Sequence, residues 1–368
     1  MSFIRLVNVT KKFGEIVALN NVNLSIENGE YVCVLGQTGA GKTTLLRTIA
    51  GLTDPDEGQI FIEGKLINEV PPDRRNTVYV FQHFALFPHM NVWENVSFGP
   101  TIRNWGKQRA EAVSSQVLDM VRLSDRRDAF PDELSGGMQQ RVALARGIAS
   151  GAQILLLDEP LGALDARLRV DLRRQLRRLV KNQRLTAVHV THDQEEALMT
   201  ADRIFVLRKG KIEQIGTPRE IYSEPTSIFA ASFVGGANFL EGNIVKVDNS
   251  GSTIETREGY PLRVAQQNMK IGERAVVAIR LEDVSVNSIA DQEFNTFHGR
   301  LDSAIFIGGY MKYKICLEDD LTIYSKVLIS EVQEKISEGE AVTVSFHPER
   351  CYLFPYPKAG LLKEIEAI

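Results

Sequence analysis

No apolar run in the sequence approaches the ~20 residues needed to cross a bilayer. Its first residues, Met1-Ser2-Phe3-Ile4-Arg5, lack the basic start, apolar middle and small-residue cleavage site of a secretory leader. A soluble chain is expected, with any membrane role supplied by a partner. Cysteine is scarce. Cys33, Cys316 and Cys351 lie far apart, which makes neither a disulfide framework nor a metal cluster and suits a reducing cytosol. Cys33 sits in the apolar run Tyr31-Val32-Cys33-Val34-Leu35, where a buried core thiol is expected. Basic excess is missing as well. The formal net charge is −4, against the clear positive excess of a protein that coats nucleic acid. Low-complexity segments, tandem repeats and coiled-coil heptads are absent too.

What is present is a chain of 368 residues, comfortable for two domains. Apolar patterning predicts strands over 3–9, 16–28, 31–35, 77–82, 153–157, 186–191 and 204–207. It predicts helices over 42–50, 107–123, 138–150, 166–183 and 194–200. Strands alternating with helices imply an α/β core with a largely parallel sheet. Near Gly235-Gly236 the pattern changes. Short strands at 239–247, 252–256, 274–279, 298–307, 311–317, 321–327 and 341–346, with little helical periodicity, imply a small all-β barrel. The expected domains are therefore 1–235, with a helical subdomain over about 84–150, and 236–368.

Two glycine-rich helix starts carry the chemistry. Gly36-Gln37-Thr38-Gly39-Ala40-Gly41-Lys42-Thr43 falls between a predicted strand and a predicted helix, the context a phosphate loop requires. Glycines at 39 and 41 let backbone N–H groups approach a β-phosphate, and the helix start adds its positive dipole end. Lys42 would neutralise phosphate charge, and Thr43 would supply an oxygen to Mg²⁺. The run Ile154-Leu155-Leu156-Leu157 ends in Asp158-Glu159. Asp158 is placed to hold Mg²⁺ through water, and Glu159 to polarise an attacking water. A chance turn or a chance acidic strand end explains either feature alone, but poorly explains both in this order.

The second glycine-rich start is Leu134-Ser135-Gly136-Gly137-Met138-Gln139-Gln140-Arg141. Ser135 is an expected N-cap, yet two adjacent glycines also expose bare N–H groups at a positive helix end. This segment resembles the signature of ABC transporter ATPases, and the resemblance extends through residues 1 to about 235. It implies a P-loop NTPase fold and ATP with Mg²⁺ as cofactors. In that family the signature of one subunit closes over ATP held by the phosphate loop of the other. Ser135, Gly136, Gly137 and Gln139 would then face the partner's nucleotide, and Thr44 would join the set that holds the subunit's own. The resemblance makes Gln82 a sensor of Mg²⁺ and attacking water, and His192 a grip on the γ-phosphate. It makes Asp165 of Leu161-Gly162-Ala163-Leu164-Asp165 the contact across the dimer, since Gly162 stands where the family often has Ser. It makes Phe13 the ring that stacks on adenine, although core packing is the commoner fate of an aromatic.

Residues Phe84 to Val96 are apolar, aromatic-rich and broken by Pro88. A buried loop is the plain reading, while the resemblance implies a groove for a short helix of an integral membrane permease. The arginines of 166–184 are expected on the solvated face of an amphipathic helix, with Leu168, Leu172, Leu176 and Leu179 opposite. The C-terminal region resembles the OB-like, oligomer-forming regulatory domain of ATPases serving sugar, polyamine, iron and oxyanion importers. Asn238-Phe239-Leu240-Glu241-Gly242 opens it, and Ala278 to Val284 follows the relatives' Arg-Pro-Glu-Asp segment with Leu281 for proline. The expectation is thus a homodimeric ATPase subunit of an importer, peripheral on the cytoplasmic face of the membrane. It would work through permease subunits, indirectly with an external solute-binding protein, and not with nucleic acid. Polyamine and ferric iron are the favoured substrates. A soluble ATPase acting on nucleic acid, or a mainly regulatory scaffold, remain the alternatives.

Overall fold

Tyr31–Leu35 and Ile154–Asp158 are buried along their whole length, as expected for strands covered on both faces. They lie in the middle of a six-stranded sheet in the computed structural model, which describes residues 3–162, 164–287, 293–317, 321–332 and 336–366. The strand order is Lys211–Gly216, Arg203–Arg208, Tyr31–Leu35, Thr186–Thr191, Ile154–Asp158, Thr77–Val80. Every pairing is parallel except that of the first strand, which closes an antiparallel hairpin at one edge. Four carboxyl ends of this sheet (Leu35, Val80, Asp158 and Thr191) open onto the segments that carry the sequence motifs. That is where a parallel sheet forms its ligand crevice.

A second, antiparallel sheet holds Ile4–Phe13, Ile16–Ile26, Glu57–Ile62 and Lys65–Leu66. Leu45, Leu46 and Ile49 of helix Lys42–Ala50 share one core with Leu6, Ile26 and Ile60 of this sheet and Val34, Leu156 and Val190 of the other. The hairpin around 57–66 and the strand Lys211–Gly216 escape the sequence reading, because their alternation is short and only partly buried.

The predicted helices form, at Lys107–Met120, Gly136–Ala149, Ala166–Asn182 and Gln194–Thr200. The stretch from Phe84 to Val96 is not the plain buried loop, since a helix, Val92–Ile102, begins inside it. Asn91 caps it and Glu94 returns the bond to the Asn91 backbone, a reciprocal capping box. The arginine helix also departs from expectation. Arg173 is buried beside Asp193, while Arg177 and Lys181 pair with Asp202. Arg167, Arg174 and Arg178 do face solvent. Ala163 of the predicted dimer-crossing loop lies outside the described residues.

The chain divides into compact units at Met1–Ser223 and Glu224–Ile368, rather than at 235/236. The cause is the short helix Ile228–Phe233, whose Ile228 and Ala231 pack with Val276, Ala278 and Phe354. Buried Arg280 fixes its far end, donating to the Ala231 carbonyl at 2.6 Å and to Gly236 at 3.1 Å. The second unit carries two five-stranded sheets, antiparallel at every pairing. They close on one core that includes Leu240, Ile279, Phe297, Ile315, Val344 and Leu353, an OB-like arrangement. A six-residue helix, Leu361–Glu366, follows the last strand where no helix is expected.

Candidate nucleotide-binding and hydrolytic site

The phosphate loop leaves strand Tyr31–Leu35 and enters helix Lys42–Ala50. Gly41 stands at φ +101°, and a Cβ there would meet the Ala18 carbonyl oxygen at 2.2 Å. A Cβ on Gly36 would meet the Leu207 carbonyl oxygen at 2.4 Å. Both positions require glycine, so the loop's shape is fixed by backbone packing on two neighbouring segments. Lys42 Nζ donates to the carbonyls of Gly36 at 2.8 Å and Gln37 at 2.9 Å, across the mouth of the loop. Burial lowers the pKa of its ammonium, while Glu159 and Asp158 oppose that shift.

Thr43, the next residue, donates its hydroxyl to Asp158 Oδ1 at 3.1 Å. Tyr79 donates to the other oxygen, Oδ2, at 2.7 Å. Burial and the Asp158 charge push the Tyr79 phenol up, so it stays protonated and can donate. A hydroxyl and a carboxylate this close form a hard-oxygen pair suited to Mg²⁺. Among the described residues no group of three or more His, Cys, Asp or Glu side chains gathers to cage a metal. An ion here would take its other ligands from phosphate and water, as Mg²⁺ commonly does.

Glu159 is the centre of the arrangement. Gln82 Nε2 lies 3.1 Å from its Oε2, and His192 Nδ1 lies 3.0 Å from its Oε1. Three strand ends therefore meet on one carboxylate. The Glu159 backbone holds φ +48°, a left-handed conformation that costs a non-glycine residue of order 1 kcal/mol. It is held there from both sides. Its N–H donates to the Val190 carbonyl at 3.0 Å, and its carbonyl accepts from Gln140 Nε2 at 3.1 Å. Behind His192, Asp193 caps the helix Gln194–Thr200, and buried Arg173 pairs with Asp193. Thr191 Oγ1 donates to buried Glu196 at 2.6 Å, which ties the same turn to the helix that follows.

The structure brings together Lys42, Thr43, Gln82, Asp158, Glu159 and His192. Of the signature segment, Gln140 touches this cluster at the Glu159 carbonyl, while Ser135 and Gln139 bond elsewhere. Ser135 caps the helix Gly136–Ala149, and it and Gly136 are exposed. Gln139 turns back to donate to the carbonyls of Pro131 at 2.7 Å and Leu134 at 3.3 Å. Asp165 caps the helix Ala166–Asn182 through Leu168 N–H at 2.9 Å. Phe13 is half exposed at a hairpin end, with Lys11 Nζ 5.4 Å from its ring centre. Of the loop residues 37–40, Ala40 is buried and Thr38 and Gly39 are exposed; Thr44, a turn into the helix, is half-buried and accepts at its carbonyl from Thr48.

Sequence reasoning missed Tyr79, Gln140, Arg173 and Asn95. Asn95 is fully buried and its amide donates to the carbonyls of Met90 at 2.9 Å and Asn91 at 3.0 Å. It also accepts from Phe87 N–H at 3.0 Å, pinning the loop that follows Gln82. Only Asn95 left a trace, as a polar residue on the buried stripe of a helix that the Asn91–Glu94 box announces.

Residues 19–162 match the family described as ABC transporter, and residues 277–354 match the TOBE domain. The spermidine/putrescine import ATP-binding protein PotA of Trichormus variabilis is 41% identical over 324 residues, 87% of this chain and 85% of that protein. Its namesake in Lawsonia intracellularis is 40% identical over 349 residues, 93% of this chain and 95% of that one. A solved ATP-binding cassette, dimeric in a post-hydrolysis state with ADP and Pi, matches with a TM-score of 0.54 and 36% identity. It covers 59% of this chain and 99% of its own. Identity spanning both units, with the phosphate loop and the Asp158–Glu159 strand end set in an ATPase fold, places the chain in the family of ATP-hydrolysing subunits of ABC importers that carry a C-terminal TOBE domain.

Proposed function

We propose that this chain is the ATPase of a polyamine importer, working as a homodimer at the cytoplasmic face of the membrane against permease subunits. The observation that carries the chemical part is the Glu159 carboxylate held between Gln82 and His192. Glu159 is the general base. It accepts a proton from the water that attacks the γ-phosphate, and its φ +48° backbone turns the carboxylate off the strand end towards that water. Lys42 and His192 offset the charge that spreads over the transferred phosphoryl group. Thr43 and Asp158 would hold Mg²⁺, with Gln82 offering its Oε1, and the bound ion would neutralise phosphate charge. Phe13 stacks on the base. The loop amides from Gly36 to Gly41, with Thr44 beyond, hold the phosphates.

Ser135 and Gly136 lie exposed and Gly137 half-buried at a helix N-terminus, and a second copy would bring its phosphate loop over them. The dimeric cassettes that this chain resembles support that reading. No helix among the described residues is long and apolar enough to cross a membrane, and the pore in this reading is that of the permease subunits. The loop after Gln82 is the proposed dock for those subunits, because it joins the sensor of Mg²⁺ and attacking water to a half-exposed apolar surface.

The relatives named for spermidine and putrescine support a polyamine substrate. The test is reconstitution. Cells lacking their own polyamine uptake would receive this chain together with permease and solute-binding subunits from its source genome. Labelled putrescine or spermidine should accumulate, and Lys42→Ala should abolish it. Uptake of ferric iron in place of polyamine would replace the substrate assignment and leave the ATPase assignment intact.

A further inference from the structure

We propose that Tyr79 is a positioning residue for the Asp158 carboxylate, fixing its plane so that Oδ1 stays turned to Thr43. The inference rests on the reading of Thr43 and Asp158 as the Mg²⁺-holding pair. Strand register puts the two residues in reach. Tyr79 pairs with Leu156, and side chains two apart share a face, so Tyr79, Leu156 and Asp158 point the same way. The ring is backed by Phe81, with centroids 4.5 Å apart. Its hydroxyl reaches Asp158 Oδ2 at 2.7 Å, while Oδ1 accepts from Thr43 at 3.1 Å.

Asp158 is thus held from two elements, by Tyr79 on the neighbouring strand and by Thr43 on the helix Lys42–Ala50. Each carboxylate oxygen has one donor, so rotation about the Cβ–Cγ bond breaks a hydrogen bond in either direction. A tyrosine serving only as packing would have no need to aim its polar tip at this carboxylate. Removing the hydroxyl leaves Asp158 tethered by Thr43 alone. Outer-shell partners of metal-binding carboxylates typically change metal affinity by about 10- to 100-fold.

The test uses the full-length chain and a fluorescent ATP analogue, with free Mg²⁺ titrated from zero. Tyr79→Phe keeps the ring and its contact with Phe81, so thermal unfolding without Mg²⁺ should match the wild type. Nucleotide affinity without Mg²⁺ should also be unchanged. The Mg²⁺ midpoint for tight nucleotide binding should rise about 10-fold. In an Asp158→Asn background the same change should add no further rise. A folded Tyr79→Phe protein with the wild-type midpoint overturns the inference, and so does an equal rise in the Asp158→Asn background. A wild type whose nucleotide binding ignores Mg²⁺ would instead defeat the metal reading itself, and the inference with it.

Discussion

At the scale of single residues, the site depends on how Glu159 is held. It follows a buried strand, adopts φ +48° and is clasped by Gln82 and His192. Glu159→Gln keeps the shape and removes the capacity to accept a proton. Steady-state ATP hydrolysis should fall by at least about 100-fold, with nucleotide binding retained. A colorimetric phosphate assay beside a nucleotide-binding titration checks this, and hydrolysis at the wild-type rate would remove Glu159 from its role. Asp158 and Glu159 are legible in the sequence because an aliphatic run ending in two carboxylates fits few other contexts. Tyr79 and Arg173 are not. A tyrosine on a strand satisfies β propensity, and an arginine on an amphipathic helix satisfies solvation, so neither leaves a mismatch to notice. Their roles come from partners 79 and 20 positions away in the chain.

At the scale of elements, the aromatic-rich loop after Gln82 is held by contacts that composition does not show. The fold turns Phe87 against Phe98, with centroids 4.5 Å apart, and lays Arg146 over the same ring at 4.8 Å. Arg146 also donates to the Ala85 carbonyl at 2.8 Å, and Asn95 ties the loop from below. The loop is thus a preformed structure joined to two helices, Val92–Ile102 and Gly136–Ala149. This separates two substitutions that look alike in sequence. Phe87→Asp loses its ring contacts and should destabilise the free subunit by roughly 1–3 kcal/mol. Leu86→Asp, at a half-buried position, should leave unfolding and ATP binding near wild type while preventing assembly with the permease. Thermal unfolding and co-purification with the permease distinguish them. A folded Leu86→Asp protein that still assembles and transports would refute the docking role. The Asn91–Glu94 box is a local signal that the sequence reading passed over, and Asn95 leaves only a faint trace, because its three backbone partners exist only once the loop has folded.

At the scale of the whole molecule, one chain carries a hydrolytic cluster and, separately, an exposed glycine-rich helix start. Ser135 bonds only locally, through the cap at Met138 N–H 3.4 Å away, and Gly136 has no atom near its would-be Cβ. Within the subunit, Gln140 links this helix to the Glu159 carbonyl at 3.1 Å, so the helix is oriented by the subunit's own catalytic strand. The parts fit together if two copies face each other and each lends its signature helix to the other's nucleotide. Ser135→Arg should then spare nucleotide binding by one subunit and block closure of the pair, because a long cation occupies the place of the opposing γ-phosphate. Lys42→Ala cripples the phosphate loop alone. In a mixed dimer of the two variants both lesions fall in the same composite site, and the other site contains neither. Mixing the two inactive proteins should therefore restore hydrolysis, up to half the wild-type number of sites in each mixed dimer. Size-exclusion chromatography of Glu159→Gln with ATP should show a dimer, and Ser135→Arg in that background should show a monomer. Recovery of no activity on mixing, together with a Glu159→Gln protein that stays monomeric at saturating ATP, would mean that each subunit hydrolyses alone and that the exposed signature helix serves something other than a second nucleotide.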